Sequence, residues 1–181
     1  MTPASDDPIA ATRRWLERVV IGLNLCPFAK AVHVKDQVRY VLSTATTPAA
    51  LLEELASELL WLHATDPTVV DTTLLIHPQV LGDFLDYNDF LDQADAAVDA
   101  LGLEGEIQVA SFHPDYQFAG TAFDDVGNCT NRSPYPMLHL LREASVERAV
   151  AAFPDPDAIV ERNLATLEKL GIEGFRRLLE P

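Results

Sequence analysis

The chain has 181 residues, with 48% hydrophobic and 23% charged side chains, ordinary values for one globular domain that needs neither disulfide nor metal to fold. Its formal net charge is −15, and from Tyr40 to Asn131 sixteen Asp and Glu residues occur without one Lys or Arg, a surface that repels phosphate backbones and argues against non-specific nucleic-acid binding. No stretch is apolar enough for a bilayer span, and Met1 to Asp7 lacks the basic and apolar regions of a secretory signal, so no membrane partner and a cytoplasmic location are expected.

In that compartment Cys26 and Cys129 are expected as thiols. The charge pattern has a plain reading, solubility. It also permits a second one, in which basic groups from the two chain ends fold onto one cleft in the acidic body. One domain over residues 1–181 is expected, with 1–7 a disordered tail.

The first predicted helix starts at Asp7-Pro8, a capping residue followed by proline at the first helical position, and ends by Asn24. Trp15, Leu16, Val19, Val20 and Leu23 recur along it at helical spacing. A strand follows at Val38 to Ser43. The second helix opens at Thr47-Pro48 with Leu51, Leu52, Leu55, Leu59 and Leu62 on one face. Thr72 to Ile76 is a continuous apolar run that suits a strand covered on both faces. The third helix spans roughly Val80 to Leu101 and stops at Gly102. A strand at Glu106 to Phe112 comes next, then twenty aperiodic residues from His113 to Arg132. The spacing predicts a fourth helix from Ser133-Pro134, a fifth from Asp155-Pro156 to Gly171, and a short sixth over Glu173 to Leu179.

These elements define an α/β (or α+β) class. The expected architecture is a small, mostly parallel sheet of three to four strands with about six helices packed on it. A ferredoxin-like sandwich is the alternative.

Two strands end alike, in Ile76-His77-Pro78 and Phe112-His113-Pro114. On parallel strands both imidazoles would sit at the carboxyl edge, where open α/β sheets bind ligands, and could transfer protons near neutral pH. The structural alternative is a histidine capping a strand end. Beyond His113, Asp115, Tyr116, Gln117 and Thr121 offer polar groups beside Phe112 and Phe118, the mixture common in pockets. Asn131 and Arg132 precede the predicted fourth helix. Pro134 and Pro136 remove amide donors there, so an anion would depend on the Arg132 fork. A structural pairing of Arg132 with a nearby acid competes with that reading. Tyr135, His139, Arg142 and Glu143 read as one solvated helix face. Cys26 follows a helix C-terminus, where nothing local activates a thiolate. It reads as a small buried hydrophobe unless folding brings a cation near. No CxxC, HExxH, Walker or GxGxxG pattern occurs, so no metal site is indicated, and the sequence specifies no cofactor either way.

The runs WLERVVIGLNLCPFAK, TTLLIHP with DFLDYNDFLD, GEIQVASFHPDYQFAGT and NRSPYPMLHLLREASVERAV resemble the bacterial family called domain of unknown function 1415, from Arg14 to Leu179. The resemblance implies a bacterial cytoplasmic protein standing as its own domain, with no activity, cofactor or substrate attached. It places Cys26, His113, Tyr116, Asn131 and Arg132 in the family's motif blocks. Position 129 is associated with tyrosine there, so Cys129 departs from the pattern.

The leading functional expectation is an enzyme for a small anionic metabolite. Arg132 binds the anion, Asn131, Gln117, Tyr116 and His77 surround it, and His113 and Cys26 do the chemistry. Alternatives are a ligand- or protein-binding module with an apolar patch around Tyr87, Phe90, Phe118 and Phe123, and a metal or haem protein using Cys26, His77 and His113. The sequence specifies no oligomeric state.

Overall fold

A computed structural model describes residues 7–153 and 155–181. The expected N-terminal tail lies outside the described residues except for Asp7. Asp7 caps α1 (Pro8–Trp15): its carboxylate accepts the Ile9 amide at 3.2 Å, and Pro8 occupies the first turn, where no amide is needed. The helix continues from Leu16 to Ile21 in wider π turns. There the Gly22 and Leu25 amides reach the carbonyls of Glu17 and Val20, five residues back, both at 2.9 Å. Asn24 then takes φ +53°, which ends the segment.

The remaining elements are α2 (Ala29–Val34), β1 (Val38–Leu42), α3 (Pro48–Ala64), β2 (Thr72–Ile76), α4 (Phe84–Ala100), β3 (Ile107–Phe112), a 3₁₀ turn (Val126–Asn131), β4 (Met137–Arg142), α5 (Glu143–Ala151) and α6 (Asp157–Leu179). Gly171, at φ +70°, kinks α6 where the sequence places a break between two helices.

The mixed α/β class holds. The sheet has four strands in the order β1-β2-β4-β3. It is mixed rather than mostly parallel: β1 and β2 run parallel, whereas β4 is antiparallel to both β2 and β3. The parallel β1–β2 pair also departs from an all-antiparallel ferredoxin-like sandwich. The predicted fourth helix is in fact β4 followed by α5. Prolines 134 and 136 hold the residues before them extended, and Met137 to Arg142 then alternate between the two faces of the sheet.

That alternation divides the core. Leu138 and Leu140 join Leu75 and Ile107 under α3 and α4, which bury Leu51, Leu55, Leu59, Leu62 and Phe90 on them. Met137, with Leu74 and Ile76, faces the other way, toward Trp15, Val19, Leu167 and Phe175. β2 is buried throughout, as a strand covered on both faces must be. Each fully buried leucine contributes about 1.5–3 kcal/mol. Among the described residues no helix is long and apolar enough to cross a membrane.

Arg142 ties the layers together at the end of β4. One guanidinium nitrogen donates to the carbonyls of Leu62, Thr65 and Val70, at 2.8, 2.8 and 3.0 Å, and so closes the C-terminus of α3.

Candidate functional site

A cavity of about 350 Å³ lies between the sheet and the helices on its second face. Its floor is laid by β2, β4 and β3, which align Leu74, His139 and Ala110 side by side across the register. Trp15, Leu16 and Val20 cover it from α1 and the π turns, Cys26 to Phe28 from the following loop, Ala29 and Val32 from α2, and Val146, Ala149 and Ile159 from α5 and α6. Among the described residues no Lys, Arg, Asp or Glu lines it. Trp15 is fixed edge-on to Phe112 at 5.2 Å, and its indole N–H donates to the Arg132 carbonyl at 3.0 Å.

The strands bring three polar side chains to the cavity, Thr72, Gln108 and His139, of which Gln108 is exposed. The Thr72 hydroxyl donates its one hydrogen to the Leu140 carbonyl at 2.7 Å. The 2.7 Å contact between Thr72 Oγ1 and His139 Nε2 therefore has Nε2–H as the donor. This fixes the tautomer and leaves Nδ1 with a lone pair. Nδ1 has no hydrogen-bond partner among the described residues, yet it is not among the fully enclosed polar atoms. His139 lines the cavity, the open space beside this ring. Removal from bulk water pushes the imidazole down to about 4, so it is neutral at pH 7.

The sequence-expected site residues do not gather around this cavity. Cys26, half-buried, lines it; His113, Arg132, Asn131, Gln117, Tyr116 and His77 do not. They organise the strand ends and the loop from His113 to Arg132. His113 Nδ1 accepts the Asp115 amide at 3.0 Å, so its Nε2–H donates to the Leu81 carbonyl at 3.1 Å. Burial lowers its pKa. His77 Nδ1–H donates to the Val80 carbonyl at 3.0 Å, its Nε2 is enclosed without a partner, and burial brings it to about 4. Arg132 donates to the carbonyls of Tyr116 at 3.1 Å and Phe123 at 2.6 Å while its guanidinium lies over the Phe123 ring. Asn131 donates to the Ser111 carbonyl at 3.0 Å, and Gln117 to that of Thr121 at 2.6 Å. The Tyr116 ring packs on Phe84 and Phe118.

Of the proposed apolar patch, Tyr87 and Phe90 are instead buried in the core under α4, while Phe118 and Phe123 are exposed. The Tyr87 hydroxyl donates to the Met137 carbonyl and accepts the Phe112 amide, joining β3 to β4. Both cysteines are free thiols, and burial raises the pKa of Cys129. Among the described residues no three His, Cys, Asp or Glu side chains are placed to hold a metal.

Two residues escape the sequence reading. His139 is hidden by assigning its segment to a helix; the alternation Met137-Leu-His-Leu-Leu141 is the signal that turns it inward. Asn128, fully buried, accepts from the Phe118 amide and the Thr121 hydroxyl and donates to the Ala122 carbonyl. Nothing local distinguishes it from a turn asparagine.

Fold and site define a mixed-sheet α/β protein with an apolar cavity under one face of its sheet. The chain belongs to the family described as protein of unknown function (DUF1415), whose model matches residues 7–177. No curated protein and no solved structure matches it with significance.

Proposed function

We propose that the protein binds a small, largely apolar molecule in the cavity beneath α1, α5 and α6. The observation that supports this reading is the cavity itself. Its volume, about 350 Å³, falls in the range of small-molecule sites, and its lining is apolar apart from a few polar groups. An enzyme for an anionic metabolite draws support only from Cys26, which borders the same space. A free anion there would lie in largely apolar surroundings with no cation lining it among the described residues, which is strongly unfavourable. A metal or haem centre at Cys26, His77 and His113 finds no comparable support.

Titration with N-phenyl-1-naphthylamine, an uncharged probe that brightens on leaving water, tests the reading. Saturable one-to-one binding is expected. Ala110→Phe, which fills the floor, should abolish it while leaving the melting temperature level or higher. Equal binding by the variant, or none by either protein, would refute the proposal.

A further inference from the structure

The cavity contains one polar atom whose chemistry is fully specified by its neighbours. His139 Nε2–H is committed to Thr72, because the Thr72 hydrogen is committed to the Leu140 carbonyl. Nδ1 thus presents a single acceptor lone pair to a space lined mainly by Leu74, Ala110, Phe112 and other apolar groups, with Thr72, Cys26 and the exposed Gln108 as its other polar side chains. Water satisfies such an atom poorly. A buried water needs two to four polar partners, and Nδ1 offers it one. A ligand that carries its own donor on an apolar body loses no such second bond.

We infer that the ligand of this cavity is an uncharged, mainly apolar molecule bearing one hydroxyl, a phenol or an alcohol, whose O–H donates to His139 Nδ1. This rests on the cavity being a ligand site, as proposed above, and adds the class of molecule. Neutrality follows from the lining, since neither a carboxylate nor an ammonium group would find a counter-charge there. The hydroxyl follows from the tautomer: an aldehyde, ketone or ether brings only acceptors to an acceptor.

Paired probes separate the two layers of the argument. 1-Naphthol and 1-methoxynaphthalene have nearly the same apolar body, and only the first can donate. The protein should bind naphthol about 2- to 12-fold more tightly, the ratio expected of one net hydrogen bond. His139→Leu should erase that preference, so that the two probes bind it with equal affinity; a preference that survives the substitution would overturn the inference. Equal affinity of the two probes for the unmodified protein would overturn the hydroxyl inference and leave the cavity reading standing. Binding of neither would overturn both. Nitrogen NMR of the unmodified protein provides a check that needs no variant. It should show His139 protonated at Nε2, with Nδ1 shifting on addition of naphthol but not of methoxynaphthalene. A proton on Nδ1 would overturn the inference.

Discussion

Burial holds both His77 and His139 at about 4, by removing water from the charged form of each ring. The direction sets the sign of a pH effect. In the unfolded chain each imidazole titrates near 6.5, so between about 6.5 and 4 the unfolded state binds the extra proton. The stability these two groups confer is complete above about 6.5 and is lost as pH falls toward 4. The slope approaches about 1.4 kcal/mol per pH unit for each histidine. Stability should therefore drop between pH 7 and 5, before most carboxylates titrate. Urea unfolding at the two pH values measures the drop. His139→Leu should show a visibly smaller one, and an identical drop in both proteins would mean that His139 carries its charge in the folded state.

The π turns after α1 make a sharper demand on the chain than their exposure suggests. Gly22 lies at the surface with ordinary helical angles, and by propensity alone alanine should stabilise it by about 1 kcal/mol. The widened turn reverses that sign. A Cβ at this position would collide with the Arg18 carbonyl oxygen, a backbone atom that cannot swing aside. Gly22→Ala should thus cost about 1–3 kcal/mol, read as a lowered urea midpoint. A raised midpoint would show that the turn relaxes to a regular helix.

The same contrast between local and distant causes explains what the sequence discloses. Thr72 to Ile76 reads correctly as a doubly covered strand because its five residues carry the whole signal. The breaks at Asn24 and Gly171 read correctly because each is a single residue at positive φ. β4 misleads because Ser133-Pro134 has the local chemistry of a helix start, whereas its strand character comes from ladders to β2 and β3. His139 is misplaced along with it. The cavity is illegible for the same reason: its lining joins residues as distant as Leu16 and Ile159.

The two chain ends supply the cations; Lys35 and Arg148, one from each end, border one cleft beside Asp71 of the acidic middle, whereas others are used differently. Several bind main-chain carbonyls instead: Arg18 that of Glu180, Arg162 that of Asn24, Arg132 those of its loop, Arg142 those closing α3. Such bonds position helices and loops, and of these four Arg142 also stands 3.8 Å from a carboxylate, that of Asp71. Arg39 with Glu58 is a forked ion pair of the ordinary kind, at 2.9 and 3.1 Å. Along α4, Asp86, Asp89, Asp92 and Asp95 follow one another at three-residue spacing on exposed positions, and the last turn holds no basic residue. Like charges so spaced repel, by roughly 0.2–0.5 kcal/mol a pair, and the helix dipole adds to the cost at Asp95 and Asp99. Net charge of −15 spreads the same repulsion over the molecule. Salt acts selectively on this balance. Raising sodium chloride from about 10 to 100 mM shortens the screening length from roughly 30 to 10 Å. That weakens repulsion between exposed carboxylates while sparing short, buried bonds such as those of Arg142. The melting temperature should therefore rise over this range. Asp92→Asn combined with Asp95→Asn should shrink the rise, because it removes the repulsion that salt screens. A fall with salt would mean that surface attractions outweigh the acidic body's self-repulsion.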